Sequence, residues 1–478
     1  MNVQLPSDPG HVRRARRLRQ RAAAFTLVEM LVTMAVSIIL VFALAQAYAV
    51  FGTILAEGRA AIELAGSMRS VAHQLQRDLD HVTVPVRPWT DEGGAQGYFE
   101  YIDGPATDKD PVLPSLVDAS INYSRFGDTD DILAFTTQDA TAPFVGVVGG
   151  NRLQSSHAEV IWWCQESIDG FGFDIYRRVL LIRPDVVGEG LSQPGQLRTG
   201  QLFNRPDQYA ALWNTILAFA AENDISFRVV WWLVNTSGQR VNLRTDPDIN
   251  NENHRVRWEF RANSLADLTR RENRFLHRHP FPNWTDATPK PAPYPFAMDF
   301  DMLLELGLLR PQDRQLTEAL AFDVQAFDAR APIYRTTDGD ALVPSDPGYA
   351  DAVAGGLLLG YGAFVDLGYA VRPPAVAVSS TFSGAPATHS ALSEYTYCTW
   401  STHYERDDRN QRMLTNNVQY YQDANRDFAT TGFHYGVQRE TSPPYPQPLR
   451  GIQVRLRAWD PDSRQVRQAT VVSNFIPE

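Results

Sequence analysis

The sequence predicts an α+β protein: one long N-terminal helix followed by a head of antiparallel β-sheets. Three observations predict it. Residues Phe25–Ala45 form an uninterrupted apolar run broken by one charge, Glu29; an amphipathic stripe follows to about Asp80; and alternating strand patterns separated by turn residues fill much of the rest, most clearly at the C-terminus.

The first element is the apolar helix. Its 21 residues extend roughly 31 Å at 1.5 Å per residue, the thickness of a bilayer core. Ahead of it, the Arg13–Arg21 cluster is expected to stay cytoplasmic, which sends everything after Ala45 across the membrane. Glu29 is the anomaly: a lone carboxylate in such a stretch costs about 2.5–3.5 kcal/mol at mid-helix, less near an end, and is normally there to meet a partner.

Leu64, Met68, Val71, Leu75 and Leu79 recur at three- and four-residue steps, while Glu63, Arg69, Gln74, Arg77 and Asp78 take other faces. Pro85 and Pro88 stop the helix. Ile132–Thr137 and Phe144–Val148 read as edge strands, and Glu159–Cys164 with Phe173–Arg183 as a hairpin turning at Asp169–Gly172. Ser226–Asn235 and Arg255–Phe260 form a second unit of similar style. Trp162-Trp163 and Trp231-Trp232 place one ring on each face of their strands, one for the core and one for a covering loop or partner. Ser264–Leu276 is helix-prone, Pro280–Pro295 is the internal boundary, and Met302–Leu308 suggests a short helix. Leu316–Asp328 runs from helix into strand. Gly355–Tyr369 is apolar, but Asp366 and its glycines argue against a second span. Ile452, Val454, Leu456 and Ala458 share one strand face, Asp460–Ser463 turns, and Val466–Phe475 returns.

The block Ala24-Phe25-Thr26-Leu27-Val28-Glu29, with its basic leader, closely resembles the cleavage and methylation site of type IV prepilins and type II secretion pseudopilins. The resemblance implies that a prepilin peptidase cuts between Ala24 and Phe25 and methylates the new Phe25 amino group. It also implies that Glu29, then the fifth residue, receives the N-terminal ammonium of a neighbouring subunit. Such a pair about 4 Å apart attracts by about 1 kcal/mol in water and by several in a low-dielectric setting. Two departures from the family pattern are Ala24, where glycine is usual, and the length of the 24-residue leader. An ordinary single-pass anchor and a secretory signal cut after Ala43-Leu44-Ala45 are the competing readings; the apolar run continues to Ala56, beyond an ordinary signal core. The arginine pairs lack the flanking pattern of a twin-arginine signal.

Within that family, Leu75–Leu79 (LQRDL), the strand around Phe322–Phe327 and the C-terminal hairpin resemble large W-type minor pilins and J-type pseudopilins. This implies a pilin-like lollipop with an enlarged head, its helix about 80 Å long and packed on the sheet. The expected organisation is a leader at 1–24, a transmembrane helix at 25–45, an amphipathic helix at 46–80, a first β-rich head part at 81–279, a Pro-rich linker at 280–295, and a second α+β part at 296–478. The chain is about twice a usual J-type length, and insertions at 262–309 and 338–405 carry what is particular to it.

The 478-residue chain, 44% hydrophobic, has a net charge of −11. The leader holds six arginines and Asp8, so its removal leaves 38 basic and 54 acidic residues, net −16. That balance argues against nucleic acid as a partner. Cys164 and Cys398, 234 positions apart, permit a disulfide in an exported domain; two unpaired buried thiols are the other outcome. No nucleophile elbow, zincin helix, phosphate loop or dinucleotide fingerprint occurs, so no catalytic residue and no enzyme activity are expected. His277 and His279, among arginines, read as a solvated helix end. No cofactor is expected, apart from weak calcium candidates with oxygen-ligand spacing: Asp128, Asp130 and Asp131; Asp246 and Asp248; and Asp423, Asn425 and Asp427. None has an EF-hand's turn glycine or closing glutamate, and polar turns explain them as well.

The expected function is therefore that of a minor pilin or pseudopilin in a type IV pilus or type II secretion filament. Its partners are prepilin peptidase, other pilins and the inner membrane, with the N-terminus cytoplasmic and the head outside. The alternative is a membrane-anchored adhesin or binding module that uses a pilin-type leader.

Overall fold

The computed structural model describes residues 26–88, 90, 94–104, 107–108, 125–167, 172–186, 216, 218–239, 255–270, 273–275, 309–367, 369, 396–399, 420–421, 437–438, 447–461 and 463–475. Two compact units divide after Arg59. Helix α1 (Leu27–Asp80) contributes to both.

In the first unit α1 exposes its apolar side chains on every side, from Leu27 through Phe42 to Phe51 and Leu55. It is the one helix among the described residues long and apolar enough to cross a membrane. The apolar surface runs past Ala45, the expected end of the span.

The second unit is built from strands β1 (Phe99–Ile102), β2 (Ile132–Gln138), β3 (Phe144–Val148), β4 (Asn151–Ser155), β5 (His157–Glu166), β6 (Phe173–Leu181), β7 (Phe227–Val234), β8 (Arg255–Ala262), β9 (Arg314–Arg335), β10 (Ala341–Leu342), β11 (Leu357–Val365), β12 (Thr396–Cys398), β13 (Tyr420–Tyr421), β14 (Val437–Gln438), β15 (Gly451–Asp460) and β16 (Gln465–Asn474), with a short helix α2 (Tyr349–Gly355). Ten strands form one sheet in the order β12-β1-β2-β5-β6-β9-β15-β16, with β10 and β11 also on β9; β3-β4, β7-β8 and β13-β14 are separate pairs. Every pairing between these strands is antiparallel.

The predicted stripe is what docks α1 on this sheet. Met68, Val71, Leu75 and Leu79 are buried, with Leu64 packed beside them, in one core with Phe99, Leu133, Phe135, Val160, Trp162, Phe322, Val324, Ile452 and Val454. Those sheet residues alternate along their strands, so a period of 3.6 meets a period of two across one dry layer. Asp78 departs from expectation: it is buried, not on an outer face. Its carboxylate accepts from Arg177 through Nε (2.7 Å) and Nη2 (2.8 Å), from Trp162 Nε1 (3.0 Å) and from Gln74 Nε2 (2.9 Å). Trp163 is buried as well, on the opposite face, stacked on Tyr176.

That opposite face is polar at its centre. Glu159 accepts from Tyr98 Oη (2.7 Å), Ser226 Oγ (2.5 Å) and the Phe275 amide (2.9 Å). Beside it Arg274 pairs with Glu100 at 2.7 Å, both side chains fully buried, and lies over the Tyr98 ring. Replacing Arg274 with Met removes the buried cation that pairs with the Glu100 carboxylate and is expected to cost about 3–5 kcal/mol, read as a lower denaturation midpoint in urea.

Several expectations are corrected. Ile132–Thr137 is not an edge but lies in β2, between β1 and β5. Among the described residues, the predicted Ser264–Leu276 helix is replaced by 3-10 structure, at Asp267–Thr269 and at Asn273. Arg274 bonds the Leu268 carbonyl and Glu100, and Asn273 bonds the Asp267 carbonyl; these contacts pull the segment onto the sheet and end the helix. Leu316–Ala319 is strand, not helix, because β6 pairs with β9 along this stretch and β15 joins it from the other edge at Ala319. Pro280–Pro295 and Met302–Leu308 lie outside the described residues; strands from both sides of that stretch share the ten-stranded sheet. Cys164 on β5 and Cys398 on β12 are not joined: β2 and β1 stand between their strands, a separation of about 14 Å at the usual spacing, against a limit near 7 Å for a disulfide.

Candidate functional site

Two places concentrate chemistry: the first turn of α1 and a pocket of buried carboxylates at the end of β1 and the start of β2.

At the helix start, Thr26 and Glu29 form a reciprocal cap. The Glu29 amide donates to Thr26 Oγ1 (3.2 Å), while Glu29 Oε2 accepts from the Thr26 amide (3.3 Å) and hydroxyl (3.4 Å). This is the Thr-x-x-Glu capping box, which satisfies two amides that no helical carbonyl reaches. Around it Leu27, Val28, Met30 and Leu31 are exposed, so the only carboxylate of the apolar stretch sits at the rim of an unburied hydrophobic surface. Ala24 and Phe25, the predicted scissile pair, lie outside the described residues.

The second place arises from sheet register. Ile102 pairs with Ile132, so the next residues outward, Asp103 and Asp131, stand side by side. Beyond them, β9 has a gap along one edge: β6 pairs with it as far as Ala319 and β11 from Ala326. Residues 127–131 fill that gap. Gly127 N donates to the Leu320 carbonyl (2.9 Å), Phe322 N to the Asp128 carbonyl (2.8 Å), and Val324 N to Asp131 Oδ2 (2.6 Å). Asp103, Asp128 and Asp131, all buried, thereby offer carboxylate oxygens within 4.8 Å of one another. Burial and the charges of Asp131 and Asp130 push the Asp128 carboxyl well above the usual range; burial and Asp103 do the same to Asp131, and burial and Asp366 to Asp323 on β9. Tyr101, also buried, donates to the Val324 carbonyl at the floor of this region.

Of the sequence candidates, Asp128 and Asp131 belong to this cluster and Asp130 borders it: a Cβ at Gly104 would collide with the Asp130 carboxylate. Asp423, Asn425 and Asp427 lie outside the described residues, as do Asp246, Asp248, His277 and His279. Cys164 is half-buried in β5 and burial raises its thiol pKa. Asp103 and Asp323 were not legible as site residues. Asp103 joins only through β1-β2 pairing; the signal at Asp323 is an acid inside the apolar alternation Leu320–Phe327.

The model of the prokaryotic N-terminal methylation motif matches residues 19–45. No curated protein and no solved structure matches the chain.

Proposed function

Taking as premise the type IV pilin-like character that the methylation motif supports, we propose that the chain is a minor pilin or pseudopilin of the large W-type and J-type class. Its work is assembly, not catalysis. In this reading the precursor sits in the inner membrane with its arginine-rich leader in the cytoplasm and its head outside. Prepilin peptidase removes residues 1–24, and the processed subunit joins other pilins in a pilus or secretion filament.

The observation that carries the reading is Glu29 at the first turn of a helix whose apolar side chains are exposed all round from Leu27 to Leu55. Among the described residues its carboxylate has only the long bonds from Thr26, at 3.3 and 3.4 Å. A neighbour's N-terminal ammonium is a stronger donor, and its charge is worth most where sister helices exclude water. The apolar surface then packs against those helices, and the single ion pair sets their register.

Processing is the test. Co-expression with a prepilin peptidase is expected to yield a chain beginning at N-methylated Phe25, and Ala24→Gly is expected to be cut at least as well. Mass spectrometry of the N-terminus reads both, and a mature chain beginning at Gln46 would identify an ordinary secretory signal instead.

A further inference from the structure

The carboxylates of Asp103, Asp128 and Asp131 are too well buried and too close to share their charge with water. Asp131 is committed as an acceptor at both oxygens: Gly104 N donates to Oδ1 (3.1 Å) and Val324 N to Oδ2 (2.6 Å). Asp128 accepts from the Asp130 amide at Oδ1 (3.3 Å), but its Oδ2 is buried with no hydrogen-bond partner, and the residue is only 1% exposed. Neither Asp128 nor Asp131 forms an ion pair among the described residues. The nearby Asp323 meets one cation, Arg455, at 3.6 Å, and that guanidinium is divided with Asp108 (3.5 Å) and Asp346 (3.8 Å).

A buried carboxylate oxygen without a donor, on a residue packed against other carboxylates, calls for either a proton or a metal ion. The donor set is all oxygen, which suits a hard cation and not zinc or copper. Oxygens that all lie within 4.8 Å of one another can together reach one ion at about 2.4 Å, the calcium distance.

We propose that Asp103, Asp128 and Asp131 bind a divalent cation of the calcium class. The ion ties the end of β1 and the start of β2 to the segment that fills the gap along β9. It thereby fastens the sheet where strand pairing is interrupted, next to the Val324 carbonyl that Tyr101 holds. This site is independent of the filament reading and stands or falls separately.

The experiment uses the full chain in detergent micelles, stripped with EGTA and titrated with calcium chloride. Isothermal titration is expected to find a calcium site. The thermal midpoint is expected to rise by at least about 3 °C at saturation, with a smaller rise in magnesium. Asp128→Asn keeps an acceptor for the Asp130 amide, so it is expected to melt cooperatively in EGTA yet lose the calcium shift; Asp103→Asn, which leaves both bonds to Asp131 intact, is the second variant. A wild-type midpoint unmoved by millimolar calcium overturns the proposal. So does a calcium shift that survives undiminished in both variants.

Discussion

Asp78→Ala is expected to destabilise the head by about 3–5 kcal/mol, the cost of breaking a buried ion pair from one side. Asp78 is 2% exposed and sits one residue before Leu79, at the C-terminal end of the buried stripe of α1. Its removal leaves the Arg177 guanidinium, itself largely buried, without the two bonds at 2.7 and 2.8 Å, and leaves Trp162 Nε1 without its acceptor. An orphaned indole N–H adds a desolvation penalty of about 1–3 kcal/mol if no water enters, so the upper part of the range is expected. Asp78→Asn separates charge from shape: it retains one acceptor for Trp162 but loses the bidentate pairing, and is expected to fall between wild type and Asp78→Ala. Urea denaturation followed by tryptophan fluorescence measures all three. An Asp78→Ala midpoint equal to wild type would mean that α1 is held to the sheet by its apolar stripe alone.

Glu29→Leu is expected to abolish entry into filaments while leaving membrane insertion and peptidase processing intact, because removing a charge from an apolar helix favours the bilayer. The capping box supplies the control. Glu29→Gln preserves a side-chain acceptor for the Thr26 amide and the cap itself, but cannot pair with an ammonium as an ion. If charge pairing drives assembly, Glu29→Gln fails as Glu29→Leu does. If the carboxylate serves only to cap α1, Glu29→Gln assembles normally, and Glu29→Leu loses no more than about 0.5–2 kcal/mol of local helix stability. Recovery in sheared filament fractions, or crosslinking to neighbouring pilins for a rare subunit, distinguishes the two. Glu29→Asp, shorter by one methylene, is expected to be intermediate.

Local pattern carried a good part of the architecture. The stripe from Leu64 to Leu79, the β5-β6 hairpin and the C-terminal β15-β16 hairpin all form as their periodicities predict. Where local pattern misled, a long-range contact prevailed. Leu316–Ala319 has helical propensity, but pairing with β6, joined by β15 at Ala319, draws it into the sheet. Ser264 has a proper cap in Asp267, yet the helix it starts ends after one turn because Arg274 is drawn to Glu100, 174 residues away in sequence.

By itself, the sequence determined the membrane-length helix, the position of Glu29 within it and the methylation motif, because each is a property of contiguous residues. It also determined which face of the second half of α1 is apolar. Only the tertiary structure decided that Asp78 lies inside, since a helical wheel assigns a residue to a face but does not reveal that a partner sheet carries Arg177 and Trp162 at that height. Likewise, Asp103 and Asp131 are 28 positions apart, and only the β1-β2 register brings them together. Asp128 joins them because two strands leave β9 uncovered between Ala319 and Ala326. The physical reason is common to these cases: strand pairing and burial convert distant residues into neighbours, and the energy of a carboxylate depends on those neighbours far more than on its place in the chain.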